Sequence, residues 1–438
     1  MIRKKDVIVC GFALFAIFFG AGNLIFPPYL GVISGDKWWL SAFGFLLSDP
    51  FFPILGVIIT MILGGNAEDL GKKVSPLFAK ILCTISILLI GPLFSVPRTG
   101  ATTHEVFVKL FIPESPQWIT SLVFFGLTLI IALNSTKVIE VIGHFITPAL
   151  LITLALVFAA ATVNPPAPAE QITSTHLFAN AFKEGYQTMD ALGASLMAGI
   201  VITDLKRRGY HDKQSQIKAG IATGLVAFIL LGIVYTGLTY AGSTVSAYYS
   251  AESERTQVLI GMIDALLGPI GQSAMGIIVA LACLTTSVGL TSTCGHFFES
   301  ISHSKLSYRN VVMVTVIIEF MMSLFGVDGI INIAVPVLSL IYPLVMVLIL
   351  FSIFDRYFTS AWPYIGGLIG AGIVSVIQSM HLFGQMNGMS IFNMQAKWIQ
   401  GLPLSSMSLE WLIPAFIMAT LMSLGHLIID QSQTSTVK

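Results

Sequence analysis

The sequence contains one acid, Asp190, in a setting that favours chemistry. It lies within the apolar stretch 176–203, where the run GYQTMDALGAS interrupts the hydrophobic pattern with glycines and polar residues. A carboxylate near the centre of a bilayer costs about 3 kcal/mol or more unless it is paired or faces a wet cavity. The alternative is that Asp190 forms a structural ion pair or, in its protonated state, a hydrogen bond between two helices. We favour a functional role, because the acid lies inside a break.

A second break is predicted in the apolar run 6–33. The segment FFGAGNLIFPP at 18–28 combines two glycines, Asn23 and a proline pair, and a helix of this composition does not stay continuous. Backbone groups freed at membrane depth are tolerated only where protein or a filled cavity satisfies them, so a broken span is a candidate site. A kinked packing helix explains this run alone equally well.

A third polar stretch, ACLTTSVGLTS at 282–292, places a cluster of hydroxyl side chains in an otherwise apolar helix. Hard cations bind several oxygen atoms, which hydroxyls and freed carbonyls supply together. Membrane Ser and Thr more often bond their own i−4 carbonyls or join helices. Taken alone, this run therefore favours a structural interpretation.

The composition identifies a membrane protein. Of 438 residues, 55% are apolar and 10% are charged, whereas about 25% are charged in an average soluble domain. At about 20 apolar residues per span, this content fills on the order of a dozen helices. The apolar runs predict twelve spans, at 6–33, 38–64, 76–103, 117–133, 138–162, 176–203, 216–241, 268–298, 310–326, 329–354, 362–382 and 409–430.

Charge and cysteine content exclude two classes of protein. With 22 basic and 22 acidic residues, the chain lacks the basic excess that holds nucleic acid. Cys10, Cys83, Cys283 and Cys294 all lie in apolar runs, so we interpret them as small hydrophobic residues and expect neither disulfides nor a metal cage. No prosthetic group is expected.

Loop charges predict the orientation. With the N-terminus inside, sixteen Lys and Arg residues, from Arg3 to Lys438, fall on the cytoplasmic side and four fall outside. The positive-inside rule therefore predicts cytoplasmic N- and C-termini. Two further segments, 255–267 and 383–405, are predicted as surface helices on the external side.

The order of the spans predicts an inverted repeat. Five spans cover 6–162 and five more cover 176–354, and because five is odd the second set enters from the opposite face. Secondary transporters with this architecture have their sites at the bilayer midplane, between the halves. We predict an all-α membrane protein with a first repeat at 1–163, a second at 164–358 and peripheral helices at 359–438.

Several long motifs resemble the LIVCS family of bacterial branched-chain amino acid:cation symporters and, more distantly, the LeuT-type neurotransmitter:sodium symporters. The motifs are FALFAIFFGAGNLIFPPYLG, SVPRTGATTHEVF, GYQTMDALGASLMAG and ACLTTSVGLTS, and the resemblance covers essentially the whole chain. It implies a LeuT-type core of ten helices with broken helices 1 and 6, plus two peripheral helices. It also implies Na⁺-coupled or H⁺-coupled uptake of leucine, isoleucine and valine.

The resemblance further implies two cation sites. Its Gly-x-Gly-Asn pattern assigns a cation beside the substrate carboxylate to Asn23, with Thr188 in the same shell. Asp190 departs from the pattern, since the distant family usually has a small hydroxyl residue there; the carboxylate either replaces a sodium ion or binds the substrate ammonium. The second cation site maps to the carbonyls of Ala16, Phe19 and Ala282 and the hydroxyls of Thr285 and Thr286.

The unpaired backbone groups expected at the two breaks suit a zwitterionic substrate with an apolar side chain. Unpaired amide groups at the start of the outer half of span one suit a carboxylate. Freed carbonyls in span six, together with Asp190, suit an ammonium group. The predicted substrate-binding residues are Ala21, Gly22, Asn23, Leu24, Tyr186, Gln187, Thr188, Met189 and Asp190.

Three more charges are predicted to be buried in the membrane. Asp49 lies in span two, Arg98 in span three and Glu319 in span nine. Pairing among these three is the favoured interpretation for Asp49 and Glu319. For Arg98, pairing and gating of the substrate path have equal weight.

Other functions fit the sequence less well than a Na⁺-coupled importer of leucine, isoleucine and valine in the bacterial cytoplasmic membrane. The nearest alternative is an H⁺-coupled amino acid symporter. A major-facilitator transporter divides six plus six, and its Gly-rich Asp-Arg loop is replaced here by GGNAEDLGKK at 64–73. Intramembrane proteases need GxGD, GxSG or HExxH, and none of these strings occurs. A channel would not accumulate substrate against its gradient.

Overall fold

A computed structural model of the chain describes residues 3–134, 137–358 and 360–435; Ala21 and residues 137–147, 427 and 429–435 are described by their backbone alone. Within these ranges the regular structure is helical and contains no β-strand. The predicted all-α class is therefore confirmed. Lys438, which the charge pattern assigns to the cytoplasmic side, lies outside the described residues.

The first half of the chain forms a series of helices, several of which follow one another without a loop. π-Helical turns at Leu47–Phe51, Leu89–Leu93 and His104–Val108 interrupt the longer runs. The α-helices are α1 (Lys4–Phe18), α2 (Ala21–Ser34), α3 (Trp38–Leu46), α4 (Phe52–Leu63), α5 (Asp69–Lys72), α6 (Pro76–Leu88), α7 (Ser95–Thr103), α8 (Lys109–Phe111), α9 (Gln117–Asn134) and α10 (Lys137–Val163).

The second half contains longer helices, some of which begin at a side-chain cap. The Asp212 carboxylate accepts from the Ser215 amide at 2.8 Å, and the Ser307 hydroxyl accepts from the Asn310 amide at 3.4 Å. The helices are α11 (Leu177–Tyr186), α12 (Asp190–Arg207), α13 (Lys213–Ser243), α14 (Arg255–Ile301), α15 (Tyr308–Ser323), α16 (Gly326–Ile353), α17 (Trp362–Met386), α18 (Asn393–Gln400) and α19 (Leu412–Ser435).

Both predicted breaks are present in the structure. Between α1 and α2 the chain leaves the helical conformation at Phe19 and Gly20. Between α11 and α12 the helix is interrupted over 187–189, where Met189 has a left-handed φ of 67°. The axes of α11 and α12 are bent by 50° at this point. The two breaks leave four helix ends inside the molecule.

The proline pair does not contribute to the first break, contrary to the prediction. Pro27 and Pro28 lie inside α2, which stays helical through both. Neighbouring helices hold such a segment in place when they pack closely. α13 does so here, because a Cβ atom built on Gly242 would lie 2.1 Å from the Pro28 carbonyl oxygen.

Three other interruptions each occur at the residue that precedes a proline. Asp49 before Pro50 has φ −143° and ψ 119°, Gly91 before Pro92 has ψ −107°, and Gly268 before Pro269 has φ 68°. A proline ring clashes with a helical conformation of the preceding residue, so these breaks follow from local sterics. Gly268 also separates the predicted surface helix 255–267 from the rest of α14.

Each of the twelve predicted spans overlaps one or more helices, but the structure does not establish that number. Among the described residues, seven helical runs are long and apolar enough to cross a membrane, and the bent pair α11 and α12 makes an eighth. Shorter helices such as α1 and α15, of 15 and 16 residues, fall below the usual length of a span. The predicted external segment 383–405 contains the end of α17 and the whole of α18.

The contact between α2 and α13 gives a test of this fold. A Cβ atom on Gly31 would lie 2.0 Å from the Thr239 carbonyl oxygen, so the two backbones touch. We expect Gly31→Ala to force the helices apart and to destabilise the protein by about 1 to 3 kcal/mol. The melting temperature in mild detergent measures this effect.

Gly126→Ala in α9 is the matched control, since a Cβ atom there has no neighbour within 4 Å. Alanine favours a helix by about 1 kcal/mol over glycine, so the control melts at or above the wild-type temperature. Equal melting temperatures for the two variants would contradict the close approach of α2 and α13.

Candidate functional site

A cavity of about 300 Å³ lies where the two breaks meet. α1, α2, α7, α12 and α14 contribute to its walls, and its volume is at the lower end of the range for small-molecule sites. Ile90, Met197 and Leu290 give it apolar surface, and Arg98 and Asp190 give it opposite charges. This combination suits a small molecule with both polar and apolar parts.

More than half of the predicted site residues line this cavity. Phe19, Leu24, Tyr186, Gln187 and Ala282 do not line it and are buried in the surrounding structure. The side chain of Ala21 lies outside the described part of the chain. The predicted residues that line the cavity are Ala16, Gly22, Asn23, Thr188, Met189, Asp190, Thr285 and Thr286.

Two of the residues that do not line the cavity support it from behind by aromatic stacking. The Phe19 ring, at the end of α1, stacks on Tyr235 with 6.1 Å between centroids. The Tyr186 ring, at the end of α11, stacks on Tyr342 at 4.6 Å. These contacts fix the ends of the two broken helices against α13 and α16.

The amide of Asn23 lies at the centre of the polar part of the site. Its Nδ2 atom is 2.8 Å from the carbonyl oxygen of Phe18, 2.8 Å from Oδ2 of Asp190 and hydrogen-bonded to the Tyr235 hydroxyl. The first contact satisfies a backbone group at the end of α1. Asn23 thus connects the two breaks directly.

Sequence reasoning missed Asp49 as a member of this site. Its Oδ2 atom lies 3.4 Å from the same Asn23 nitrogen, so two carboxyl groups converge on one amide. The side chain is 1% exposed. The feature of the sequence that could have identified Asp49 is Pro50, which breaks span two at Asp49 and turns the acid out of the regular helix.

Arg98 binds the second break. Its Nη1 donates to the carbonyl oxygen of Gln187 at 2.6 Å, and its Cζ lies 5.4 Å from the centroid of the Phe26 ring. A Cβ atom on Gly22 would lie 2.5 Å from Nη2, so only glycine leaves room for this guanidinium. Arg98 therefore lies directly against the N-terminal end of α2.

The predicted pairing among Asp49, Arg98 and Glu319 is wrong. Arg98 binds the break, Asp49 binds Asn23, and Glu319 accepts a hydrogen bond from the Thr291 hydroxyl at 2.9 Å. The breaks bring Asn23 and the Gln187 carbonyl into the interior of the helix bundle, where they bind charged groups of the neighbouring helices.

The span-six break offers fewer free carbonyls than predicted. The carbonyl of Gly185 accepts from the Thr188 hydroxyl at 2.8 Å, and that of Tyr186 accepts from the Met189 amide at 3.1 Å. The carbonyl of Gln187 is bound by Arg98. Asp190 is the charged acceptor that this segment presents to the cavity.

The hydroxyl run of α14 lies across the cavity from α1. Thr285 and Thr286 line the cavity together with Ala16, and the Thr285 hydroxyl donates to the Ala282 carbonyl at 2.9 Å. A hydroxyl that donates its proton in this way keeps its oxygen lone pairs for another partner. The run thus presents oxygen atoms to the cavity.

A second group of charges lies beyond Phe26, away from Asn23. Arg255, at the start of α14, forms ion pairs with Glu184 at 2.7 Å and Asp328 at 2.9 Å. Its guanidinium also lies over the rings of Phe26 and Tyr29. These contacts join α2, α11, α14 and α16.

Comparison with protein families gives a match over most of the chain. A profile described as "Branched-chain amino acid transport protein" matches residues 3–429. The chain is 34% identical over 425 residues to branched-chain amino acid permease BraB of Bacillus subtilis, across 95% of this chain and 94% of that protein. It is 31% identical over 428 residues to branched-chain amino acid permease BrnQ of Escherichia coli K12, across 96% of this chain and 95% of that protein.

Comparison with solved structures gives the fold. Mhp1, a nucleobase-cation-symport-1 family transporter in a closed conformation with bromovinylhydantoin bound, aligns with a TM-score of 0.58 at 14% identity, across 92% of this chain and 95% of that chain. MhsT in complex with L-phenylalanine aligns with a TM-score of 0.55 at 16% identity, across 87% of this chain and 98% of that chain. Both are LeuT-fold transporters, so the predicted fold is confirmed.

The cavity wall on α14 provides a test at two adjacent residues. Thr286 lines the cavity, whereas Ser287 is fully buried and shares a hydrogen bond with Thr128 at 3.0 Å. We expect the new cysteine of the Thr286→Cys variant to react with a small water-soluble thiol reagent in detergent. The new cysteine of the Ser287→Cys variant should react at least ten-fold more slowly.

The native cysteines Cys10, Cys83, Cys283 and Cys294 are buried, which keeps the background reaction low. Labelling rates are measured by mass spectrometry on the folded protein. Comparable rates at the two positions would mean that the cavity does not reach this face of α14.

Proposed function

The chain belongs to the branched-chain amino acid transport protein family, and from that premise we propose that it imports leucine, isoleucine and valine together with Na⁺. The single observation that carries the proposal is the cavity between the two breaks, which has opposite charges and an apolar wall. Members of this family are transporters and not enzymes. The proposed reaction is therefore coupled movement without chemical change.

The substrate carboxylate binds at the start of α2. The first amide groups of a helix lack intrahelical partners and favour a negative charge, and Gly22 belongs to this first turn. The Arg98 guanidinium, which crowds Gly22, adds a full positive charge. A carboxylate in the cavity beside both groups would receive charge-assisted hydrogen bonds from each.

The substrate ammonium binds Asp190, and the aliphatic side chain fills the apolar part of the cavity. Asp190 is the anionic group among the lining residues, and Ile90, Met189 and Met197 are candidates for the apolar wall. Burial of a branched aliphatic side chain contributes about 1.5 to 3 kcal/mol to binding. Leucine and isoleucine are isomers and valine is smaller by one methylene group, so one such wall accepts all three.

Na⁺ binds between α1 and the hydroxyl run of α14. The proposed ligands are the carbonyl oxygens of Ala16, Phe19 and Ala282 and the hydroxyls of Thr285 and Thr286; Asn23 and Thr188 belong to the proposed cation site beside the substrate. Support comes from Ala16, Thr285 and Thr286, which line one cavity together. Oxygen ligands of this kind suit a hard cation. An ion that bridges α1 and α14 would link its own binding to the substrate site.

The proposed orientation has both termini in the cytoplasm of a bacterial cell, and two inverted repeats at 1–163 and 164–358. In this orientation the Arg255 ion pairs lie on the external side and close it. Their opening, together with closure near the inner ends of α1 and α12, would give alternating access. An H⁺-coupled symporter is the second candidate, because Asp49, Asp190 and Glu319 are carboxyl groups without a salt-bridge partner among the described residues.

Uptake of labelled leucine into proteoliposomes tests the coupling ion. We expect an inward Na⁺ gradient to drive accumulation and a proton gradient without Na⁺ to fail. Thr286→Ala removes a proposed ligand and should raise the Na⁺ concentration for half-maximal uptake about ten-fold, since a charge-assisted contact is worth about 1.5 to 3 kcal/mol. Uptake that runs equally well on protons alone would replace this proposal with the H⁺-coupled one.

Asp190→Asn tests the ammonium contact. The change keeps the volume and removes the charge, so the affinity for leucine should fall about ten-fold or more. Glu319→Gln is the control, because it neutralises a buried carboxyl group that does not line the cavity. Normal leucine binding by Asp190→Asn, with a normal melting temperature, would remove the acid from the substrate site.

A further inference from the structure

The segment 401–411, which we call the strap, connects α18 to α19 and packs against α11. The Ser408 hydroxyl donates to the Ala179 carbonyl of α11 at 3.0 Å, across 229 residues of sequence. The side chains of Ser408, Glu410 and Trp411 are at most 3% exposed. Connecting segments normally run over the surface of a protein, so the burial of this one calls for a reason.

Three buried polar atoms meet where the strap reaches the end of α11. They are the hydroxyl of Tyr186, the indole nitrogen of Trp411 and the Oε2 atom of Glu410, and none of them has a hydrogen-bond partner among the described residues. Trp411 and Glu410 lie beside the Tyr186 hydroxyl. The other carboxyl oxygen of Glu410 accepts from the Gln378 amide of α17. Buried polar groups are costly unless they pair, so these three neighbours need one another.

The three groups form a matched set of donors and acceptors. An indole N–H only donates, a phenol hydroxyl both donates and accepts, and a carboxyl group keeps an acceptor oxygen whether or not it is ionised. With a small rotation of the side chains, Trp411 donates to Tyr186 and Tyr186 donates to Glu410. This arrangement satisfies all three groups and joins the strap to α11.

Tyr186 leads from the strap to the substrate cavity. Its ring stacks on Tyr342 with 4.6 Å between centroids. The Tyr342 hydroxyl accepts from the amide of Ala191 at 3.4 Å, in the first turn of α12 and next to Asp190. The Tyr186 carbonyl also accepts from the Met189 amide within the break. The position of Tyr186 therefore determines where α12 begins and where its first acid lies.

We propose that Glu410 and Trp411 are positioning residues for the substrate site, and that they act through the hydroxyl of Tyr186. Neither residue lines the cavity, so they affect substrate affinity by holding the span-six break in its binding shape. This inference rests on the proposed function, because it adds residues to the same site. It gives the peripheral helices α17 and α19 a function, which is to anchor α11.

Leucine affinity and melting temperature, measured on the purified full-length protein in detergent, test the proposal. We expect Tyr186→Phe, Trp411→Phe and Glu410→Leu each to lower the leucine affinity about five-fold, because binding must then supply the free energy of the lost hydrogen bond. Combining Tyr186→Phe with Glu410→Leu should lower it no further than Tyr186→Phe alone, since both changes remove the same contact. Glu410→Gln keeps an acceptor oxygen and should restore the wild-type affinity.

Tyr364→Phe is the matched control. Tyr364 is another fully buried tyrosine, and its hydroxyl donates to Asp355 at 2.8 Å without lining the cavity. Its loss should lower the melting temperature and leave the leucine affinity unchanged. Tyr186→Phe removes a single atom and decides the question where the larger changes prevent folding. Normal leucine affinity in Tyr186→Phe would overturn the proposal, and so would an equal loss of affinity in Tyr364→Phe.

A reporter cysteine distinguishes this result from failure of the proposed function. Gly193→Cys lies on α12 at the cavity, where a Cβ atom has its nearest neighbours at 3.8 Å and therefore fits. Added Tyr186→Phe should make the reporter react about three-fold faster or more with a water-soluble thiol reagent, because the first turn of α12 opens more often. Added Tyr364→Phe should not change this rate.

The reporter needs no substrate, so it decides the inference by itself. A wild type that binds no leucine, with a reporter that Tyr186→Phe accelerates, would reject the proposed substrate and support the positioning of the break. Leucine uptake by the wild type, with neither the reporter rate nor the leucine affinity changed by Tyr186→Phe, would leave the transport function intact and reject this inference alone.

Discussion

The structure depends on one constraint, which is that backbone groups freed inside a membrane must find partners within the protein. The breaks at 19–20 and 187–189 free several carbonyl groups, and the bilayer offers no water to receive them. Three side chains donate hydrogen bonds to these carbonyl groups in place of water. Asn23 binds the Phe18 carbonyl, Thr188 binds the Gly185 carbonyl and Arg98 binds the Gln187 carbonyl. The same three residues line the cavity, so the repair of the breaks also builds the site.

This constraint also explains why a few charged residues are buried among the apolar helices. An arginine in the membrane interior is tolerated where it donates to carbonyls and faces a cavity, as Arg98 does. Glycine at position 22 is needed next to it, because any larger residue would collide with the guanidinium. Small residues have the same purpose between α2 and α13, where Gly31 and Gly242 allow the backbones to touch. The site is thereby supported on closely packed helices.

The sequence predicts the breaks because their causes are local. Glycine and asparagine near position 20, and the polar run around Asp190, disfavour a continuous helix wherever they occur. The same kind of local reasoning, applied to residues before prolines, also finds Asp49, Gly91 and Gly268. It fails for Pro27 and Pro28, since packing against α13 keeps α2 helical, and for Pro336 and Pro343, which lie inside the continuous helix α16. Partners across the fold are not local either: Asn23 meets Asp49 and Asp190 only after helices distant in the sequence have packed, so the pairing of the buried charges was predicted wrongly.

The four helix ends at the cavity favour a zwitterion over an ion of either sign. α1 and α11 end there with their negative dipole ends, while α2 and α12 begin there with their positive ends, each equivalent to about half an elementary charge. Arg98 lies near the start of α2, and Asp190 is the first residue of α12, where the dipole stabilises its charge. Because positive and negative ends alternate around one small space, a substrate with a single charge would leave half of these ends without a complementary group. A molecule with separated charges and an apolar side chain meets complementary groups at each end, which is the chemistry of a branched-chain amino acid.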